Sequence, residues 1–120
     1  MSDDLRITTV KSETTQQSGR SLNHARDQHY VIDEPAFAGG PGEAVTPEES
    51  FLTGVSACGV SLVESFADEK NYSLSKAHCE IRGVRAEDNP ADYKRVEMEF
   101  ELHGVTEDVG NELVEAYKDR

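Results

Sequence analysis

An uncharged stretch of fourteen residues, 50–63, constrains the fold of this chain most. Before it, Thr46 is followed by Pro47 and, three residues on, by Glu49, which is the pattern of a capping box at a helix N-terminus. We predict a helix from Pro47 to about Asp68. Because a helix that is apolar all round is buried on all sides, we expect it at the centre of the fold or against the same helix of a second copy.

Length and charge limit the classes of partner. A chain of 120 residues is predicted to form one domain, and with 36% hydrophobic residues its core is small. Its 24 acidic residues outnumber its 12 basic ones and give a net charge of -12. An acidic surface repels phosphate backbones and anionic lipids, so we predict neither a nucleic-acid nor a membrane partner.

The N-terminus and the cysteines favour a cytoplasmic location. Residues 1–4 lack the basic and apolar segments of a signal peptide, and the uncharged stretch is shorter than the ~20 residues of a membrane span. The chain has only 2 cysteines, which in a reducing compartment are thiols rather than a disulfide framework.

Alternating polar and apolar residues predict strands on both sides of the helix. Residues 5–10 and 22–32 are expected to form an N-terminal hairpin, and residues 72–84 and 93–103 a second antiparallel hairpin. Residues 33–45 contain several glycines and prolines, which favour a loop.

A second helix is predicted after Thr106, which can act as its N-cap. Its apolar stripe consists of Val109, Leu113, Val114 and Tyr117. The element order β-β-α-β-β-α is typical of an α+β domain with segregated elements.

The middle of the first helix carries Cys58, where burial would raise the pKa of the thiol and leave it a small buried apolar residue. A reactive thiol at this position needs a cation, and Arg20 and Arg26 are the candidates from the N-terminal hairpin. Glu48 lies ten residues before the cysteine, ~15 Å away along a helix. The two can share a site only through a bridging arginine or between two subunits.

Other candidate sites are weaker. Cys79 alternates with apolar residues on one face of a predicted strand, which favours a packing role. No pair of cysteines or histidines has the spacing of a metal site, and the glycines near residue 40 lack the ending of a phosphate-binding loop. We therefore predict no metal and no cofactor. The four histidines are His24, His29, His78 and His103.

Three segments resemble the OsmC/Ohr family of osmotically inducible and organic hydroperoxide resistance proteins. The segments are residues 29–35 (HYVIDEP), residues 39–42 (GGPG) and residues 46–58 (TPEESFLTGVSAC). They contain the aspartate-proline pair, the glycine loop, the Pro-Glu pair and the cysteine ten residues after that glutamate. The resemblance extends from about Arg20 to Arg120.

This resemblance implies a single OsmC-like domain over residues 1–120 in an intertwined homodimer. It also implies a thiol-dependent peroxidase that prefers organic hydroperoxides, with hydrogen peroxide as a second substrate. Cys58 is then the peroxidatic cysteine, and Arg26, with Arg20 as the alternative, stabilises its thiolate and polarises the peroxide. Glu48 is expected to orient that arginine.

The sequence departs from the family at its C-terminal end. Family members carry a resolving cysteine in a Cys-Pro motif after the last predicted helix, and this chain stops at Arg120, where the motif would begin. Either the chain is cut before this motif, or the oxidised Cys58 is reduced by an external thiol or dithiol, by another protein, or by Cys79. An OsmC-like dimer that acts as a redox sensor or small-molecule binder without turnover is the alternative function.

Overall fold

The computed structural model describes residues 4–119, which form an N-terminal unit up to Ser50 and a C-terminal unit from Phe51. The chain passes from one unit to the other inside its first helix. Two antiparallel sheets and two helices confirm the predicted α+β class. The elements are β1 (Lys11–Thr14), β2 (Arg20–Ala25), β3 (Gln28–Asp33), a short 3-10 helix (Ala36–Ala38), α1 (Pro47–Glu69), β4 (Lys76–Val84), β5 (Arg95–His103) and α2 (Glu107–Lys118).

The N-terminal unit contains a three-stranded sheet in the order β1-β2-β3. The prediction of one strand over residues 5–10 and another over residues 22–32 is therefore wrong. Residues 4–10 form no strand, and Leu5 and Ile7 are 81% and 79% exposed. Their alternation has no partner strand among the described residues, and the polar residues of β1 pair with β2 instead.

A two-residue turn divides the segment that was predicted as one strand. The turn joins β2 to β3 through Arg26 and Asp27, and Arg26 has a φ of 57°. Glycine is the usual residue at such a position, because residues with a side chain rarely adopt a positive φ. With arginine there, the sequence lacks the signal that marks a hairpin turn.

The glycine-rich loop between β3 and α1 is confirmed. It opens with Asp33, whose N–H donates to the carbonyl of Val45 at 2.9 Å, so the two ends of the loop meet. Gly40 lies so close to the backbone of Glu34 that a Cβ atom would have no room. Glycine at this position therefore allows the loop to fold back on its own first residues.

The capping box of α1 forms as predicted. The N–H of Thr46 donates to Glu49 Oε1 at 2.9 Å, and the N–H of Glu49 donates to Thr46 Oγ1 at 3.1 Å. The helix ends at Glu69, one residue beyond the predicted end. These reciprocal bonds satisfy two backbone donors that the first helical turn leaves without partners.

Burial of α1 differs from the expectation of a helix enclosed on all sides. Only Gly59, Val63, Phe66 and Ala67 are buried, whereas Phe51 is 58% exposed. The reason is that the C-terminal unit supplies packing partners for one face only. By length and composition α1 could also cross a bilayer, with 22% of its most apolar window buried, a test that core helices of soluble proteins pass as well.

The C-terminal unit packs α1 and α2 with the β4–β5 hairpin. The pairing runs from Lys76 opposite His103 to Val84 opposite Arg95, within the two segments predicted as strands. Thr106 caps α2 by accepting a hydrogen bond from the N–H of Val109 at 3.3 Å, as expected. The buried core consists of Val63, Phe66, Ala67 and Leu113.

Candidate functional site

Cys58 lies in the middle of α1 and is exposed. The expectation that Cys58 is buried is therefore wrong, because the described residues of the C-terminal unit do not cover the helix face that carries it. The next residue, Gly59, is buried: a Cβ atom on it would lie 3.0 Å from Met98 Cε and 3.2 Å from Phe100 Cζ. The absence of a side chain lets α1 approach β5 closely beside the cysteine.

The side chains of Met98, Phe100 and Tyr117 form an apolar wall where α1 meets β5. Tyr117 of α2 donates its hydroxyl hydrogen to Met98 Sδ at 3.4 Å, and its ring meets the Phe100 ring edge-to-face at 5.6 Å. Burial raises the pKa of Tyr117, and the charges of the Cys58 and Cys79 thiolates raise it further. The tyrosine hydroxyl is thus within electrostatic reach of both cysteines, in surroundings that are mostly apolar.

The second cysteine, Cys79, is half-buried on β4 directly opposite Phe100. Burial raises the pKa of the Cys79 thiol, because the thiolate loses its hydration there. At neutral pH this residue is consequently protonated, and a neutral thiol is a poor nucleophile.

Glu48 occupies the first turn of α1. Ten residues separate it from Cys58, which is ~15 Å along a straight helix, so the two side chains of one chain do not touch. The capping box uses Glu49 instead, so the carboxylate of Glu48 is not tied to the helix N-terminus by that motif.

The two candidate arginines lie at opposite ends of β2. Arg26 is exposed at the β2–β3 turn and has no hydrogen bond or ion pair with a residue in the described range 4–119. Arg20 begins the strand, six residues and ~20 Å earlier at 3.3 Å per residue. The structure therefore does not pair Arg26 with Glu48.

Arg20 is held by two carboxylates. Its Nε and Nη2 donate to the two oxygens of Asp33 at 2.7 and 2.8 Å, and Nη2 also donates to Glu43 Oε1 at 3.1 Å. Asp33 has no exposed side-chain surface, and its Oδ2 accepts further bonds from the N–H groups of Glu43 and Ala44 at 3.0 and 3.1 Å. A planar guanidinium bound on two edges has a fixed orientation.

The electrostatics of this pair follow from those hydrogen bonds. The bonds from Arg20 lower the pKa of Asp33 from 3.8 to about 2, and the same bonds raise the pKa of Arg20 above its ordinary value. Arg20 also lines a cavity of about 350 Å³ that includes Glu34 and Pro47, the first residue of α1. Both charges are therefore permanent at neutral pH beside the start of the helix that carries Cys58.

Sequence reasoning missed the roles of several residues here. Asp33 is part of the aspartate-proline pair of the resemblance, but Arg20 and Asp33 both lie just outside the predicted strand 22–32. Only the observed register, in which Arg20 is opposite Asp33, brings the two together. Met98 and Phe100 lie within the predicted strand 93–103, and Tyr117 lies on the apolar stripe of the second predicted helix. Only the fold shows that they contact α1 at Gly59, beside Cys58. Within residues 4–119, no group of three or more His, Cys, Asp or Glu side chains is arranged to hold a metal ion.

Several known proteins share this fold. An OsmC-like protein from Mycoplasma pneumoniae superposes with a TM-score of 0.81 at 16% identity, covering 96% of this chain and 82% of that one. The organic hydroperoxide resistance protein OsmC from Legionella pneumophila gives a TM-score of 0.68 at 20% identity, covering 98% and 85% of the two chains. An organic hydroperoxide resistance protein from Elizabethkingia anophelis gives 0.66 at 17% identity, with coverage of 98% and 85%.

The amino-acid sequence itself matches a known protein family. No curated protein matches the chain. Residues 40–120, well over half of the chain, match the family of OsmC-like proteins, and they include the helix with Cys58. The resemblance seen in the sequence is confirmed: this chain belongs to the OsmC-like family.

Proposed function

We propose that this protein is a thiol-dependent peroxidase that reduces organic hydroperoxides at Cys58. The observation that carries the proposal is an exposed cysteine at the centre of a helix in an OsmC-like fold, one residue before Gly59, which packs against the apolar wall of Met98, Phe100 and Tyr117. The two hydroperoxide resistance proteins of similar fold support the same activity. An apolar wall favours a peroxide with a carbon substituent over hydrogen peroxide.

The proposed chemistry begins with the thiolate of Cys58. Its sulfur attacks one oxygen of the hydroperoxide, an S–O bond forms as the O–O bond breaks, and the leaving alkoxide takes a proton to become an alcohol. The cysteine is then a sulfenic acid. Two equivalents of an external thiol, or one dithiol, return it to the thiol with release of water and a disulfide. Such a donor is typical of the reducing cytoplasm, where we place the protein.

Arg20 is the arginine that the contacts favour for stabilising the thiolate and polarising the peroxide. It is oriented by Asp33 and Glu43 and shares a cavity with Pro47 at the start of α1, whereas Arg26 lies at the far end of β2. The resemblance gave Arg26 first and Arg20 second, so the contacts favour the second candidate. Glu48, in the first turn of α1, is proposed as a supporting carboxylate for this arginine.

Trapping the first oxidation product tests this proposal. Reduced protein is exposed briefly to one equivalent of cumene hydroperoxide with a sulfenic-acid trap, and the adduct is mapped by mass spectrometry. We expect rapid adduct formation at Cys58 and not at the protonated Cys79. In Arg20→Ala the rate should fall by about a hundredfold, since one positioned donor is removed from the developing charge.

The same experiment on Arg26→Ala separates the two arginines. A smaller effect than that of Arg20→Ala is expected, and the reverse order would return the role to Arg26. If both cysteines oxidise slowly and alike, Cys58 is not peroxidatic and the proposal fails. A sulfenic acid that forms rapidly but is not reduced by external thiols would indicate a redox sensor instead.

We also propose that a second copy of the chain covers the exposed side of α1. Phe51 is largely exposed there, and Gly54 has open space around it, so the helix presents an uncovered apolar surface. Sedimentation equilibrium should give a particle of about twice the chain mass of 13.2 kDa. A monomer at micromolar concentration would contradict the proposed dimer.

A further inference from the structure

One face of the N-terminal sheet carries a row of basic side chains. In the register of the three strands, Lys11 of β1 lies opposite His24 of β2, which lies opposite His29 of β3. Residues directly opposite each other in antiparallel strands point to the same face. Arg26 lies in the β2–β3 turn, two residues after His24. Four side chains that are or can become cationic are therefore close together at this end of the sheet.

These side chains line a groove of about 630 Å³. Thr9, just before β1, adds a hydroxyl to the lining, and Glu13 is the acidic residue among the lining residues. Small-molecule sites commonly have volumes of 300–1,000 Å³ with a few convergent polar groups. The groove therefore has the size and the polar lining of a ligand site, and it lies wholly within the N-terminal unit.

The two permanent cations of the groove are available to a ligand. Neither the Lys11 ammonium nor the Arg26 guanidinium has a side-chain hydrogen bond or ion pair with another residue in the described range 4–119. Asp27 follows Arg26 in the turn but does not line the groove. The chain as a whole has a net charge of -12, whereas these two side chains bring positive charge to the groove. Cations without a carboxylate partner bind oxyanions through charge-assisted hydrogen bonds.

The histidines form a chain of hydrogen bonds that starts at Glu13. His24 Nε2 lies 3.1 Å from Glu13 Oε1, and its Nδ1 lies 2.8 Å from Nδ1 of His29. Because the carboxylate only accepts, His24 donates from Nε2, and its Nδ1 accepts the hydrogen of His29 Nδ1. This tautomer assignment follows from the network. When both rings carry a proton on Nδ1, this direct hydrogen bond is lost, and both Nδ1–H groups become available as donors to an oxyanion in the groove.

We propose that this groove binds a small molecule through a phosphate or sulfate group held by Lys11, Arg26 and the two histidines. Arg26 and Lys11 supply the permanent charge, and the histidines add charge when they protonate. Glu13 opposes the anion and accepts a hydrogen bond from His24. Binding therefore strengthens as the pH falls. This site uses neither Cys58 nor Arg20, to which the peroxidase chemistry is assigned, and sulfate binding is measured without peroxide, so the two proposals can fail separately.

Sulfate is a suitable probe, because it remains a dianion from about pH 8 to about pH 6, the range in which histidine side chains gain charge. Backbone amide chemical shifts are followed as sulfate replaces chloride at constant ionic strength. We expect saturable shifts at the groove residues, with affinity at about pH 6 several-fold higher than at about pH 8. Lys11→Ala and Arg26→Ala should each weaken binding on the order of tenfold.

Lys76→Ala is the matched control, because it removes an exposed lysine from the C-terminal unit. His29→Gln retains hydrogen-bonding capacity without one of the two titrating rings and should reduce the pH dependence, with His24 supplying the remainder. Unchanged amide spectra outside the groove establish that each variant is folded. Shifts that rise linearly and spread over the whole chain, or equal affinities in Lys11→Ala and Lys76→Ala, would overturn the proposal.

Discussion

Replacing Cys58 with serine is expected to abolish peroxide reduction. A serine hydroxyl is not ionised at neutral pH and cannot accept the oxygen atom of a peroxide as sulfur does, so turnover of cumene hydroperoxide with a dithiol should fall on the order of a thousandfold or more. The exposed position of Cys58 makes the substitution a mild one for folding. Consumption of hydroperoxide over time, with unchanged circular dichroism, measures the effect.

Cys79→Ser is the matched control for that loss. It removes the half-buried thiol and leaves Cys58 in place. Turnover within about twofold of the unmodified protein is expected if an external thiol reduces the sulfenic acid directly. Retained trapping at Cys58 combined with lost turnover would instead assign the resolving step to Cys79. Equal turnover in Cys58→Ser and the unmodified protein would refute the peroxidatic assignment.

Replacing Asp33 with alanine should lower the melting temperature on the order of 10 °C at about pH 7. The carboxylate is fully buried and accepts hydrogen bonds from Arg20 and from two backbone N–H groups of the loop. Its removal leaves those donors without a partner. Glu43→Gln, at the exposed partner of the same arginine, is the control and should change stability little.

The acid dependence of stability provides an independent check on Asp33. Its pKa is lowered to about 2 in the fold, so its contribution is complete above its ordinary pKa of 3.8 and is lost as the pH falls from 3.8 towards 2. The difference in melting temperature between the unmodified protein and Asp33→Ala should therefore narrow as the pH falls to about 2.5. A difference as large at that pH as at about pH 7 would show that the buried ion pair is not its cause.

Local sequence signals predicted the helices and the second hairpin well. The bonds between Thr46 and Glu49 join residues three apart in sequence and need no tertiary contact, so the start of α1 can be predicted from residues 46–49 alone. The alternation of apolar and polar residues over 95–103 likewise needs only that one face of the strand is more buried than the other. The N-terminal strands were misplaced because their pairing depends on turns at Gly19 and Arg26, and the second of these has no glycine or proline.

For the candidate site, the sequence determined which residue types are present and how far apart they lie on one element. It placed Cys58 at the middle of a helix and excluded direct contact with Glu48, because both follow from helix geometry. Only the tertiary structure decided that Cys58 is exposed, that Asp33 holds Arg20, and that Lys11, His24 and His29 form one row. These contacts join residues distant in sequence, and their existence depends on strand register and packing, which periodicity within a single segment does not encode.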